Sequence, residues 1–220
     1  MTPQAVIFDI GNVLIEWQPE RFYDRKIGSR ARDRLFAEVD LHAMNDRIDC
    51  GGNWQKTVAD QAEACPRHRD AIMMWHSHWL EMAGPRIDLS VCLLRTLRAG
   101  GVPVFALSNF GVETFAFAEA KYDFLAEFDR RYISGHLRMI KPWPEIYAHV
   151  EADSGIVPQG LLFVDDRAKN ISAAAGRGWQ THLFRDAREF SKCLVKSGLL
   201  TADKVRQATR DAGNADAYCL

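Results

Sequence analysis

The chain has 220 residues, 47% hydrophobic and 26% charged, a composition that can bury a real core and excludes a fibrous or disordered protein. Its 28 Lys and Arg balance 29 Asp and Glu, so no global basic field draws it to nucleic acid or an anionic membrane, and any anion site is local. This length suits one core domain with a smaller insert.

Residues 1–8 hold neither a basic stretch nor a long apolar run, so no secretory signal is read there. No segment approaches the roughly 20 apolar residues that span a bilayer. Cys50, Cys65, Cys92, Cys193 and Cys219 are scattered without a close pair. That spacing argues against a zinc cluster or a disulfide framework and for isolated thiols in a reducing cytoplasm.

In chain order, Ala5–Phe8 is a continuous apolar run ending in Asp9 and followed by the turn residues Gly11 and Asn12. This is the pattern of a buried parallel strand opening into a loop. About 70 residues then precede Asp88, far beyond the roughly 2 to 6 of an ordinary connection, which predicts an inserted helical cap over residues 16–86. Within it, helices are expected over residues 30–39, over Trp54–Ala64 behind Asn53, and over residues 66–82, with breaks at Gly51-Gly52 and Gly84-Pro85.

The core, residues 1–15 and 87–200, then resumes with a helix over Asp88–Ala99, N-capped by Asp88 and stopped by Gly100-Gly101. A second apolar run, 102–107, ends in Ser108-Asn109. Pro142 and Pro144 introduce a helix marked by Ile146, Tyr147 and Val150, and a third run, 161–164, ends in Asp165-Asp166. A helix over Ala168–Gly176, a strand over 179–184 and a closing helix over 187–197 complete the core, leaving 201–220 as a polar tail, a loose helix or a frayed end. Strands alternating with helices make a doubly wound α/β fold with a parallel sheet. The ligand site of such a sheet lies outside the carboxyl ends of its strands, so the three polar tips are expected to converge.

Four blocks, Phe8-Asp9-Ile10-Gly11-Asn12-Val13-Leu14, Leu107-Ser108-Asn109, Lys141-Pro142 and Phe163-Val164-Asp165-Asp166, resemble in order the four motifs of the haloacid dehalogenase-like superfamily. With the helical insert after the first block and with Asn170, the chain is similar over roughly residues 4–185 to the subgroup holding sugar-phosphate phosphatases and epoxide hydrolase N-terminal domains. The resemblance implies that Asp9 attacks phosphorus to form an aspartyl-phosphate. Asp9, the Gly11 carbonyl and Asp165 would form an oxygen-rich Mg²⁺ site, with Asp166 acting through coordinated water. Ser108 and the Asn109 backbone would hold phosphate oxygens. Lys141 would offset charge between nucleophile and phosphoryl group, and Asn170 would orient Asp165, Asp166 or Lys141.

One departure stands out. Phosphatases of the superfamily usually carry a second aspartate two positions after the nucleophile, as acid and base, and here that position is Gly11. Asp49, His42, His76 and His78 in the insert are candidate substitutes, although two residues apart on a helix the last two face different ways. Arg47 could meet a substrate anion, and Trp54, Trp75 and Trp79 either line a pocket or form the core of the insert. The reading is a magnesium-dependent phosphatase of a small phosphorylated metabolite. Two alternatives remain: carbon-halogen hydrolysis, which Gly11 tolerates, and a silent fold that binds without turnover.

Overall fold

The computed structural model describes residues 1–214; Cys219 and the end of the polar tail lie outside the described residues. In chain order the strands are β1 (Ala5–Phe8), β2 (Ile15–Trp17), β3 (Ala83–Arg86), β4 (Val104–Ser108), β5 (Arg130–Ile133), β6 (Leu161–Asp165) and β7 (Gln180–Leu183). Between β2 and β3 lie helices α1 (Pro19–Ile27), α2 (Ser29–Glu38), α3 (Leu41–Asp49), α4 (Trp54–Ala64), α5 (Arg69–Ser77) and α6 (Trp79–Met82). After β3 follow α7 (Asp88–Ala99), α8 (Val112–Lys121), α9 (Ser134–Leu137), α10 (Pro144–Ser154), α11 (Ala168–Gly176), α12 (Ala187–Lys196) and α13 (Ala202–Gly213).

β1 is the middle of a five-stranded sheet in the order β5-β4-β1-β6-β7, every pairing parallel. Successive side chains of a strand point to opposite faces. Val6 and Phe8 therefore pack with Leu94, Leu97 and Phe190 on one side, while Ala5 and Ile7 pack with Tyr147, Phe163 and Trp179 on the other. Helices cover both faces, which is why the central strands read as unbroken apolar runs. The register aligns the polar tips. Phe8 lies beside Ala106 of β4 and Val164 of β6, so Asp9 and Asp165 leave the sheet level with each other and Ser108 one residue beyond.

The insert leaves and re-enters the core through an antiparallel ribbon, in which Ile15 pairs with Arg86 and Trp17 with Ala83. Gly84-Pro85, expected as a break, thus lies inside β3. The helix expected over 66–82 is divided: a single 3-10 turn over Pro66–His68 precedes α5, and His78 separates α5 from α6. Asn53 caps α4 as expected, its side chain accepting from the Lys56 N–H at 2.8 Å. Asp88 does not cap α7. Ile87 holds that position, and the Asp88 carboxylate in the first turn is drawn to the Arg86 guanidinium at 2.5 Å. Residues 202–213, read as tail, form α13, which buries Ala208 against the core next to α7.

Several elements escaped the apolar pattern. β5 is an edge strand whose first two residues, Arg130 and Arg131, are exposed, so it shows no apolar run. The helices α1, α3 and α8 were likewise not anticipated. Trp75 is fully buried at the centre of the insert, edge-on to Trp17 at 5.7 Å between ring centroids, with its indole N–H donating to Asn45 Oδ1 at 3.1 Å. Trp75→Ala is expected to cost about 3–5 kcal/mol of stability, measured by urea denaturation.

Candidate active site

At the carboxyl edge of the sheet, Asp9 is buried and its Oδ1 gathers three donors. These are its neighbour's Ile10 N–H at 2.7 Å, the Ser108 hydroxyl at 2.7 Å and the Lys141 ammonium at 2.9 Å. Oδ2 takes part in none of these contacts. Asp165, fully buried, accepts from the same ammonium at 2.6 Å, from the Arg167 N–H at 2.7 Å, and from the Asn170 amide at 3.0 and 2.9 Å. Of the three partners expected for Asn170, its amide nitrogen therefore serves Asp165, while its own Oδ1 stays buried without a partner.

Lys141 is held from behind. Its backbone N–H donates to Asn109 Oδ1 at 2.7 Å, and the Asn109 amide donates to the Lys141 carbonyl at 3.0 Å. The Asn109 side chain is thus committed to the loop that carries the lysine. Asp166 accepts from the Asn12 amide at 3.0 Å, and Asn12, in a left-handed conformation at φ 56, in turn accepts from the Trp17 N–H at 2.9 Å. Asn12 was not singled out as a site residue; its only sequence signal was its place in a Gly-Asn turn, where asparagine tolerates positive φ.

The three carboxylates of Asp9, Asp165 and Asp166 each bring an oxygen within 4.8 Å of the others. One ammonium cannot balance three carboxylates, whose full ionisation would leave a double negative charge. Burial, aided by the other two carboxylates and opposed by Lys141 and Ser108, pushes the Asp9 carboxyl far above its ordinary range. Burial alone would also lower Lys141, but Asp165 and Asp9 outweigh it and raise the ammonium. For Asp165, Lys141, the Arg167 N–H and Asn170 overcome burial and hold the carboxyl below its ordinary value. A hard divalent cation fits this oxygen set and its uncompensated charge.

These groups open into a cavity of about 380 Å³ whose other walls include Trp17, Trp79, Phe110, Asn45, Asp46 and Asp49. Gly11 also lines it, and a Cβ built there meets nothing closer than Trp17 Cβ at 3.9 Å. Packing therefore does not demand glycine at this position. Among the tryptophans of the insert, Trp79 reaches the cavity, whereas Trp54 and Trp75 do not line it. His42 lies at the cavity, exposed. His76 packs on Trp54 with ring centroids 4.3 Å apart, and His78 pairs with the Ser77 hydroxyl. Arg47 donates to Gln61 Oε1 at 2.8 Å, within the insert. Arg167 and Lys169, which the sequence reading passed over, supply positive charge to the wall just after the Asp165-Asp166 pair.

A haloacid dehalogenase-like hydrolase model matches residues 3–178. The chain belongs to the haloacid dehalogenase-like hydrolase family. It is 25% identical to the drimenol cyclase drtB of Aspergillus calidoustus, covering 87% of this chain but only 36% of that protein. It is 26% identical to the sesquiterpene phosphatase astK of Aspergillus oryzae, over 80% of this chain and 87% of that one. A haloacid dehalogenase-family enzyme from Bacteroides thetaiotaomicron, solved with magnesium and inorganic phosphate, superposes with a TM-score of 0.65 at 22% identity, over 87% of this chain and 98% of that one. The family's parallel sheet and helical flanks are those described above. No helix among the described residues is long and apolar enough to cross a membrane.

Removing the shared cation of the site exposes its cost. Lys141→Ala strands two buried carboxylates and is expected to lower metal-free stability by about 3–5 kcal/mol in urea denaturation, with magnesium restoring part of the loss. Asp49 gives a pH test. Its carboxyl is raised to about 8, by burial first and then by Asp46, against the pull of Arg167. The folded chain holds that proton more tightly than the unfolded chain, whose carboxyl titrates near 3.8, so stability falls as pH climbs from there toward about 8. The thermal midpoint of the wild type is expected to drop relative to Asp49→Asn between pH 5 and pH 9.

Proposed function

We propose that this chain is a magnesium-dependent phosphatase that hydrolyses a small phosphorylated metabolite through an aspartyl-phosphate on Asp9. The observation that carries the reading is the state of Asp9: one carboxylate oxygen is pinned by three donors and the other is left out of them, beside a lysine and two further carboxylates. Pinning Oδ1 fixes the direction in which Oδ2 attacks, and orientation of this kind is worth several kcal/mol of barrier. The sesquiterpene phosphatase relative and the magnesium and phosphate complex of the Bacteroides enzyme support the same chemistry.

Asp9, Asp165 and the Gly11 carbonyl would hold Mg²⁺, with Asp166 steadied by Asn12 and reaching the ion through water. Bound there, the ion offsets charge on the phosphoryl oxygens and on the three carboxylates. Lys141 draws the remaining phosphoryl charge, and the Ser108 hydroxyl is placed to turn from Asp9 to a phosphate oxygen. Because the Asn109 amide is occupied by Lys141, its contribution to phosphate is its backbone N–H. Residues 1–15 and 87–200 are the catalytic core in this reading, and residues 16–86 form a cap that supplies the far wall and excludes water. The free Cys50, Cys65, Cys92 and Cys193 suit a reducing cytoplasm.

Carbon-halogen hydrolysis is the weaker reading, since without a cation three converging carboxylates repel a carboxylate substrate. Release of inorganic phosphate from sugar, acyl and aryl phosphates, with and without magnesium, tests the proposal. Magnesium-dependent release that Asp9→Asn lowers by at least about 10⁴-fold is the expected result. No release from any phosphoester would leave a dehalogenase or a binding protein.

A further inference from the structure

Breaking the P–O bond of an alkyl phosphate makes an alkoxide, which leaves slowly unless a positioned acid protonates it. Asp9 and Asp165 cannot serve, being held by Lys141, Asp166 is tied to Asn12 beside them in the candidate cation cluster, and Gly11 has no side chain. The rest of the cavity wall offers Glu16, His42, Asp46 and Asp49. Asp49 alone among these four is buried, at 7% exposure.

Asp49 belongs to the insert by sequence but is locked to the core by contact. Its carbonyl accepts from the Ser134 hydroxyl at 2.6 Å, and the same hydroxyl oxygen accepts from the Phe110 N–H at 2.8 Å, just past the Ser108-Asn109 tip. One residue before it, Ile48 sits so close to Gly111 that a Cβ there would come within 2.6 Å of Ile48 Cγ2. The end of α3 is therefore seated on the loop that follows β4. Asn45 Nδ2 donates to Asp49 Oδ2 at 2.8 Å and fixes the carboxyl; Asn45 is itself fixed by the Trp75 indole. The groups bearing on this carboxyl are Asp46 on its own helix, Arg167 before α11, Asp9 after β1 and the Gly111 N–H before α8.

Resting on the phosphatase reading, we infer that Asp49 is the catalytic acid and base of this chain, standing in from the wall of the same cavity for the side chain that Gly11 lacks. As Asp9 Oδ2 bonds to phosphorus and the P–O bond to the leaving group breaks, the Asp49 proton passes to the leaving oxygen and an alcohol departs. The resulting Asp49 carboxylate then takes a proton from the water that attacks phosphorus. The aspartyl–phosphate bond breaks, hydrogen phosphate leaves, and Asp9 carboxylate and protonated Asp49 are restored. Burial keeps the free enzyme's Asp49 protonated at neutral pH, with its carboxyl raised to about 8.

The test is a leaving-group series, alkyl phosphates against p-nitrophenyl phosphate, with magnesium, for wild type, Asp49→Asn, and Asp49→Asn combined with Gly11→Asp. Asp49→Asn should lower kcat/KM, which reports the steps up to departure of the leaving group, roughly 10²- to 10⁴-fold on alkyl phosphates and barely change it on the aryl ester, whose leaving group needs no proton. Gly11→Asp, which the space around Gly11 admits, should restore part of the alkyl rate. Equal loss of kcat/KM on both ester classes, or no loss on either, would overturn the assignment while leaving the phosphatase reading intact. Absence of wild-type turnover would overturn both. If Asp49→Asn does not fold, the wild-type pH profile decides: kcat/KM for the alkyl ester should fall above pH about 8 while the aryl ester holds, and parallel profiles would overturn the inference.

Discussion

One ammonium group holds the site together. Lys141 lies 2.9 Å from Asp9 and 2.6 Å from Asp165, and it joins the ends of β1 and β6 to the loop before α10. Each of these carboxylates would be costly to bury alone, and the shared cation is what lets both sit at the top of a dry sheet. Its own position depends on the two hydrogen bonds that the Lys141 backbone makes with the Asn109 side-chain amide, one donated and one accepted, at the end of β4. Three strand tips and one loop, separated by as many as about 150 residues of chain, are thereby bound into one electrostatic unit with an excess of negative charge.

Much of this was legible in the sequence because it rests on short-range grammar. An apolar run ending in a polar tip is what a strand covered on both faces must look like, and Asp9, Ser108 and Asp165 each stand at such an end. The order of the four motifs then brought Lys141 and Asn170 into the same group. What stayed hidden is what depends on tertiary contact. Arg130 and Arg131 made β5 look like a loop, because an edge strand faces solvent and needs no apolar pattern. The double role of the Asn109 amide, the bond from Asn12 to Asp166, and the capping of α7 by backbone geometry leave no periodicity to read.

The histidines and tryptophans of the insert illustrate the same limit. His76 and His78, chemically attractive in a list of residues, are spent on an indole ring and a neighbouring serine. Trp75 is packing, while Trp79, four residues on, reaches the cavity. Asp49 differs from them in a way the sequence could only hint at. A carboxyl at the last position of a helix is usually solvated and unfavourable beside the helix dipole. Here the seating of α3 against Gly111 and Ser134 removes it from water.

The antiparallel ribbon of β2 and β3 carries a separate consequence. Since Ile15 pairs with Arg86 and Trp17 with Ala83, the two ends of the insert are already side by side before any of its helices is counted. The entropy of closing a loop grows only slowly with its length once its ends are joined, about 0.6 kcal/mol per doubling. The ribbon therefore acts as a socket. Helices between its strands can lengthen, shorten or be exchanged with little penalty to the sheet beneath, so the wall facing the substrate can diverge while the carboxylates and lysine under it stay as they are.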